Sequence, residues 1–172
     1  RSDYGVGAGT DAVVVADVNN DGFLDIITGN TGANAVSILL GNNLGGFITA
    51  TSYGIGADTL NLVGSGASLT AGDLNQDGFI DFVENRYGTT SEGTIVNEMI
   101  VLLNNGNGTF TTQRMSSSDN KPESAKLADF NKDGFLDLVT ANFGGNTISL
   151  YLGNGNGTFA TSTAYVVGSA PD

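Results

Sequence analysis

The sequence predicts an all-β protein built from three repeated antiparallel units of four strands each. A nine-residue acidic motif recurs three times, and its copies are DVNNDGFLD at 17–25, DLNQDGFID at 73–81 and DFNKDGFLD at 129–137. A second motif follows each copy, as LLGNNLGGF at 39–47, LLNNGNGTF at 102–110 and YLGNGNGTF at 151–159. The intervening segments are short, rich in Val, Ile, Leu, Thr and Phe, and bounded by Gly and Asn turn signals. No window shows the apolar period of a helix.

Each repeat divides into four candidate strands. In the first repeat they cover 12–17, 25–30, 35–42 and 47–56. The third repeat has the same order, with SAKLAD, DLVTAN, NTISLYLGN and FATSTAYVVG. Four strands in about 50 residues are typical of a β-propeller blade. A stacked β-solenoid is the alternative, although its rungs usually recur every 20–30 residues or fewer, about half this period.

The predicted blades cover about 11–56, 67–116 and 123–168, and residues 1–10 and 169–172 are expected to be remnants of adjoining repeats. Propellers need about four to eight blades, so three blades form only a partial ring. Either further blades flank them or copies assemble, and two copies in cyclic head-to-tail contact would form a six-bladed ring.

Repeat 2 is longer than the other two repeats. It has seven extra residues within 86–97, and the connection before it has seven more within 57–68. We expect the first insertion to lengthen the turn between the second and third strands of blade 2. Counting up and down the strands places both insertions on the face opposite the acidic loops.

Composition excludes several functions. The chain has 172 residues with 18 acidic and 6 basic side chains, for a net charge of −12. Nucleic acids and anionic membrane surfaces are therefore poor partners, and no apolar run is long enough to span a bilayer. The chain contains no Cys and no His, which removes thiol nucleophiles, imidazole bases and ordinary zinc sites. We expect no enzymatic activity.

The acidic motif has the donor pattern of a calcium loop. Oxygen-bearing side chains occupy positions 1, 3, 5 and 9, Gly occupies the sharp turn at position 6, and Phe at position 7 offers a backbone carbonyl. Ca²⁺ takes six to eight hard oxygen ligands, whereas Mg²⁺ prefers to keep its waters. We expect three Ca²⁺ sites, with the ligands Asp17, Asn19, Asp21, Phe23, Asp25, Asp73, Asn75, Asp77, Phe79, Asp81, Asp129, Asn131, Asp133, Phe135 and Asp137.

The loop is not a complete EF-hand. The Glu of position 12 would fall at Thr28, Glu84 and Thr140, so it is present once, and strands replace the flanking helices. The alternative is a metal-free hairpin turn rich in Asp and Asn. Nine of the 18 acidic residues lie in the three loops, so three bound Ca²⁺ ions would halve the net charge.

The paired motifs DxNxDGxxD and LLGNGNGTF resemble the FG-GAP/VCBS repeat of integrin α-chain-like β-propellers, over essentially the whole chain. The resemblance implies Ca²⁺ in the loop between the first two strands of a blade, an extracellular or cell-surface location, and recognition of proteins or glycans. It also implies that the face opposite the Ca²⁺ loops carries ligand recognition. The NNGNGTF ending is similar to that of fungal lectins of this propeller type.

The sequence therefore predicts a Ca²⁺-binding module for extracellular adhesion or ligand recognition, in which Ca²⁺ makes the loops rigid. The rival functions are a carbohydrate-binding lectin with pockets between blades, a non-catalytic propeller domain of a secreted enzyme, and a purely structural repeat. Candidate ligand contacts on the insertions are Asp58, Asn61, Arg86, Tyr87, Glu92 and Asn97. The alternative is tolerated loop variation. We expect Phe47, Phe110 and Phe159, and also Phe23, Phe79 and Phe135, to pack between blades.

Overall fold

A computed structural model describes residues 2–48, 50–55, 63–90, 92–117 and 120–168. Within them, three antiparallel sheets of four strands form three blades. Blade 1 contains β1 (Thr10–Ala16), β2 (Asp25–Asn30), β3 (Ala35–Leu39) and β4 (Thr51–Gly54). Blade 2 contains β5 (Val63–Gly72), β6 (Asp81–Thr89), β7 (Ile95–Asn104) and β8 (Phe110–Ser116). Blade 3 contains β9 (Pro122–Ala128), β10 (Asp137–Asn142), β11 (Thr147–Tyr151) and β12 (Thr163–Val166).

The strands of every blade pair in chain order, so each blade is a meander. In blade 1, for example, Val14 pairs with Ile27, and Ile27 pairs with Ile38. The first strands of successive blades contact one another, β1 with β5 and β5 with β9. The three blades are therefore arranged around a common axis as consecutive blades of a propeller, and the ring is not closed. The all-β fold and the blade architecture predicted from the repeats are confirmed.

The apolar cores lie between the blades. Ile27, Val36 and Ile38 of blade 1 meet Phe82 and Leu102 of blade 2, and all five are buried. A second core forms in the same way between blades 2 and 3, and its buried members are Leu74, Val83, Met99, Val101, Ala125, Leu138 and Tyr151. A blade of four strands exposes two broad faces, so burial of both requires a neighbour on each side.

The fourth strands of blades 1 and 3 begin later than expected. Phe47 and Phe159 pair only through isolated bridges to Gly41 and Gly153, and regular pairing resumes at Thr51 and Thr163. Blade 2 has Asn104 where the other blades have these glycines, and its last strand runs unbroken from Phe110. The prediction of a continuous strand from the closing Phe is therefore wrong for blades 1 and 3.

The insertion within 86–97 lengthens strands rather than the turn, which corrects the prediction from the repeat spacing. β6 and β7 have 9 and 10 residues, against 6 and 5 for β2 and β3. The extra residues continue the ladder as far as the pair Thr89 and Ile95. The turn itself is closed by hydrogen bonds between Thr90 and Thr94. Among the described residues, no helix is both long and apolar enough to cross a membrane.

Candidate metal centre

The acidic loop of blade 1 folds around its own carboxylates. Asp17 accepts hydrogen bonds from the backbone N–H groups of Asp21 (3.1 Å) and Gly22 (2.8 Å). Asp21 accepts from the N–H of Phe23 (2.8 Å) and from the side-chain amide of Asn19 (2.8 Å). These contacts hold the side chains of positions 1, 3 and 5 together in one turn.

The loop backbone explains two residue choices. Position 4 has a left-handed conformation in all three loops, at Asn20 (φ 57°), Gln76 (φ 60°) and Lys132 (φ 64°). Position 6 is also left-handed, at φ values from 86° to 91°, and is always Gly because a Cβ is disfavoured there. Loops 2 and 3 repeat the hydrogen bonds of loop 1 to positions 1, 3 and 5.

The aspartate at position 9 has a role that the spacing did not reveal. Asp25 is fully buried, and its two oxygens accept hydrogen bonds from the N–H groups of Val18 (2.8 Å) and Gly41 (2.8 Å). This carboxylate thus joins the acidic loop to the second motif of the same blade. Asp81 does the same with Leu74 and Asn104, and Asp137 does so with Phe130 and Gly153.

Burial and negative neighbours raise the pKa of Asp81 to about 6. Desolvation is the largest cause, and the nearby carboxylates of Asp77 and Asp73 add to it, while the hydrogen bonds from Asn104 and Leu74 oppose it. A cation in this loop would counteract the rise in pKa caused by the neighbouring carboxylates, because it would favour the charged form of each acid.

The donor set fits Ca²⁺ in its chemistry. Each loop offers three carboxylates, one amide oxygen and a backbone carbonyl, and an oxygen that accepts one N–H bond keeps a second lone pair. Among the described residues, no three acidic side chains are already gathered as a metal-binding group, since they bond to the loop's own N–H groups. The fifteen predicted ligands stay a prediction.

In blades 2 and 3 the phenylalanine of position 7 links the two motifs of its own blade, whereas Phe23 of blade 1 is 39% exposed. A Cβ added at Gly106 would lie 2.5 Å from the ring of Phe79, and one at Gly155 would lie 2.3 Å from that of Phe135. These rings therefore cover glycines of the second motif in their own blade. Phe110 and Phe159, by contrast, pack against the cores between blades, as expected.

Among the described residues, the candidate ligand residues of the opposite face have different surroundings, although Tyr87 and Asn97 are cross-strand partners. Asp58 and Asn61 lie outside the described residues, and Glu92 is exposed beside the β6–β7 turn. The Tyr87 hydroxyl donates to Glu123 (2.9 Å), and the Asn97 side chain accepts from the N–H of Lys121 (3.3 Å). Both residues thus bind blade 2 to the start of blade 3.

Arg86 is part of a buried charged cluster between blades 1 and 2. It has no exposed surface, and its Nε donates to Glu98 (2.6 Å) while another guanidinium nitrogen donates to Asn34 of blade 1. Arg114 also pairs with Glu98 (3.3 Å) and donates to the carbonyl of Ile55 (3.2 Å). In this conformation Arg86 holds two blades together and has no surface for a ligand.

Glu84 is the unexpected member of this cluster. It is fully buried, and neither carboxylate oxygen has a hydrogen-bond partner among the described residues. Burial raises its pKa to about 7, with Arg86 opposing the rise and the charges of Asp11 and Glu98 adding to it. Repeats 1 and 3 have threonine at this position, so the one signal in the sequence was a lone acid on an inward-facing strand position.

A pocket of about 80 Å³ also lies between blades 1 and 2, beside the acidic loop of blade 1. Tyr53 crosses this junction, since its hydroxyl donates to the carbonyl of Gly108 (2.6 Å) and its ring packs edge-on against Phe110. The pocket lining combines apolar and amide groups, and it consists of Val18, Asn19, Ile38, Leu40, Thr51, Tyr53, Asn104, Gly106, Gly108 and Phe110.

Comparison with known proteins defines the class. The model of the FG-GAP-like repeat matches residues 17–84, 90–140 and 129–172. The chain belongs to this repeat family, as its two motifs indicated. No curated protein matches the chain.

Among solved structures, the chain is similar to an Agrocybe aegerita lectin described with its specific recognition of non-reducing terminal N-acetylglucosamine. The sequence identity is 19% and the TM-score is 0.33. The match covers 88% of this chain and 51% of the lectin chain, so the chain spans about half of that protein.

Asp25→Asn tests the buried link between the motifs. We expect this variant to lower the free energy of unfolding by about 1–3 kcal/mol, because an amide has one acceptor oxygen and leaves one N–H unpaired. Urea unfolding in the presence of chelator measures it. The matched control is Asp21→Asn, which removes the same charge from an exposed side chain of the same loop and should cost less than about 1 kcal/mol. Equal losses in the two variants would contradict the role assigned to Asp25.

Glu84 should make stability depend on pH. The folded state keeps the Glu84 proton up to about pH 7, whereas the unfolded chain releases it near the ordinary value of 4.5. The free energy of unfolding should therefore fall as the pH rises across this window, by up to about 1.4 kcal/mol per unit, and level off above it.

Glu84→Gln should flatten this pH dependence in urea titrations with chelator, because the amide keeps the neutral form at every pH. The control Glu92→Gln, at an exposed position, should leave the slope unchanged. A wild-type slope that persists in Glu84→Gln would show that other groups produce it.

Proposed function

We propose that this protein is a Ca²⁺-binding propeller module that recognises an extracellular protein or glycan. One observation carries the proposal: the same loop occurs three times, with the same left-handed positions and the same inward-turned carboxylates. A turn alone needs one Asp or Asn, whereas each of these loops has carboxylates at both positions 1 and 5, and like charges repel each other without a cation.

Ca²⁺ serves structure in this proposal. Each loop joins the first two strands of a blade and is tied to the second motif by the buried Asp of position 9. Neighbouring loops also touch, since the Asn20 amide donates to the carbonyl of Gly78 (3.1 Å). A cation that fixes the loop therefore adds to the folding free energy of the blade. Extracellular fluid, where free Ca²⁺ is abundant, is the compartment that suits weak sites of this kind.

The composition of the chain and the burial of two of its acids argue against catalysis. Cys and His are absent from the sequence, and the acids of the buried cluster, Glu84 and Glu98, are closed off between two blades. We therefore infer recognition by the surfaces and pockets of the blades. The acidic charge favours neutral or basic ligands over nucleic acids.

The proposal predicts Ca²⁺-dependent stability. Chelator-treated protein should melt at a higher temperature when Ca²⁺ is added, since each site contributes about 2.7 kcal/mol at a hundredfold excess over its Kd. Calorimetric titration should give three sites per chain, and Mg²⁺ at equal concentration should give a much smaller shift. The absence of any Ca²⁺-dependent shift would overturn the proposal.

Asp77→Ala should reduce the stoichiometry from three to two without loss of the fold. Its matched control is Glu92→Gln, which removes one acidic charge outside the loops and should keep three sites. If the control reduced Ca²⁺ binding as strongly, the loss in Asp77→Ala would come from the change in net charge rather than from a lost ligand.

Carbohydrate binding is the second candidate, because the pocket between blades 1 and 2 places the aromatic rings of Tyr53 and Phe110 beside the amides of Asn19 and Asn104. Sugars combine apolar ring faces with hydroxyl groups, and such a lining suits both. Under this function, a glycan array should show binding that Thr51→Tyr abolishes by filling the pocket.

Thr163→Tyr is the matched control for the glycan experiment. Thr163 pairs with Leu150 in blade 3 as Thr51 pairs with Ile38 in blade 1, but it is not part of the pocket. Loss of binding in both variants, or in neither, would exclude this pocket as the sugar site.

A further inference from the structure

The two internal blade junctions use equivalent positions. On the side that meets the preceding blade, here called the rear face, blade 2 places Leu69, Ala71 and Ile80 in the junction with blade 1. Register through the paired strands makes Ala125, Leu127 and Leu136 their equivalents in blade 3, and these pack in the junction with blade 2. Rear-face positions are thus covered wherever a preceding blade exists.

Blade 1 carries apolar side chains at the same rear-face positions, and they are open. Val13, Val15 and Leu24 are 64%, 54% and 65% exposed. Val13 pairs with Thr28 as Leu69 pairs with Glu84, so Val13 and Leu69 occupy equivalent positions in their blades. Three exposed branched aliphatic residues at one sheet face are costly in water, at about 25 cal/mol for each Å² of apolar surface.

The opposite side of each blade, the forward face, shows the complementary pattern. Ile27, Val36 and Ile38 of blade 1 are at most 5% exposed against blade 2, and Val83, Met99 and Val101 of blade 2 are fully buried against blade 3. Their equivalents in blade 3 are Val139, Ile148 and Leu150. These three are only partly buried, and two of them line an open hollow of about 170 Å³.

A polar contact between neighbouring loops repeats in the same way. The position 4 side chain of one loop donates to the position 6 Gly carbonyl of the next, from Asn20 to Gly78 (3.1 Å) and from Gln76 to Gly134 (3.0 Å). In blade 3 the position 4 residue is Lys132, an exposed donor that faces no further loop among the described residues. In blade 1 the position 6 residue is Gly22, which is exposed.

We propose that the forward face of blade 3 stacks on the rear face of blade 1 of a second copy of this chain. Each junction would place Val139, Ile148 and Leu150 against Val13, Val15 and Leu24, with Lys132 donating to the carbonyl of Gly22. The molecule already makes this junction twice internally, so it carries both halves of a third. Two copies joined at both ends form a six-bladed ring, within the four to eight blades that propellers use. This inference does not depend on Ca²⁺ binding or on a ligand.

One segment stands in the way of this stacking. Tyr4 packs edge-on against Phe47 of blade 1, and its hydroxyl accepts from the Phe47 N–H (3.3 Å). This copies the contact of Tyr53 with Phe110, so Tyr4 takes the position that belongs to the outer strand of a preceding blade. In the ring, Tyr165 of the second copy takes that position and the Tyr4 segment is displaced. Tyr165 is 48% exposed and therefore available.

Sedimentation of the whole chain over about 1–500 μM tests the ring. We expect a reversible dimer and no larger species. Val15→Asp on the rear face and Ile148→Asp on the forward face should each weaken the dimer by more than tenfold, since each places a charge in the junction. Ile95→Asp, at a 68% exposed position of blade 2 and so outside both faces of the proposed junction, should leave association unchanged. Circular dichroism melts identify any variant that fails to fold.

Mixing the variants distinguishes this interface from other modes of association. A mixture of Val15→Asp with Ile148→Asp restores one intact junction, so it should form more dimer than either variant alone. Tyr4→Ala should strengthen association, because it removes the ring and hydroxyl that hold the competing segment on Phe47. A monomer at every concentration, a ladder of larger oligomers, a mixture no better than its components or a weaker dimer in Tyr4→Ala would overturn the proposal.

Discussion

A buried carboxylate at the end of each acidic loop organises the blade around it. Asp25, Asp81 and Asp137 stand at the first residue of a second strand, where each accepts two backbone N–H groups from separate segments. A hydrogen bond to a charged group is worth about 1.5–3 kcal/mol, and an orphaned buried N–H is costly. The two motifs of a repeat therefore recur together because one supplies the acceptor and the other supplies a donor.

The junctions between blades are equivalent in position but different in chemistry. The junction of blades 2 and 3 is largely apolar, whereas that of blades 1 and 2 also encloses Glu84, Arg86 and Glu98. Replacing one member of a buried ion pair leaves an uncompensated charge, so this cluster restricts which blade can stand beside blade 2. Arg86 reaches Asn34 of blade 1, which has a left-handed conformation at φ 50°. The longer β6–β7 hairpin carries the residues that make this specific junction.

Repeat spacing predicted the fold well because a blade is a local structure. Strand order, register and the alternation of buried residues follow from segments that neighbour one another in the chain, and β2 begins and ends where its pattern indicated. Features that depend on contacts between distant segments were not predictable in this way. The bond of Asp25 to Gly41 spans 16 residues, and that of Arg86 to Asn34 spans 52. The spacing of carboxylates predicted the loop. The same spacing does not distinguish a carboxylate that accepts backbone N–H bonds from one that coordinates a cation.

The side chains at position 4 connect each acidic loop to the next one. The side-chain amides of Asn20 and Gln76 each donate to the glycine carbonyl of the next loop. This glycine lies between the fifth and seventh positions, which would hold a cation. The three loops are therefore linked in series along one side of the molecule. Ordering one loop reduces the entropic cost of ordering its neighbour, so a second ion would bind to a partly ordered site. Occupancy along the series would then rise more steeply with cation concentration than three independent sites allow.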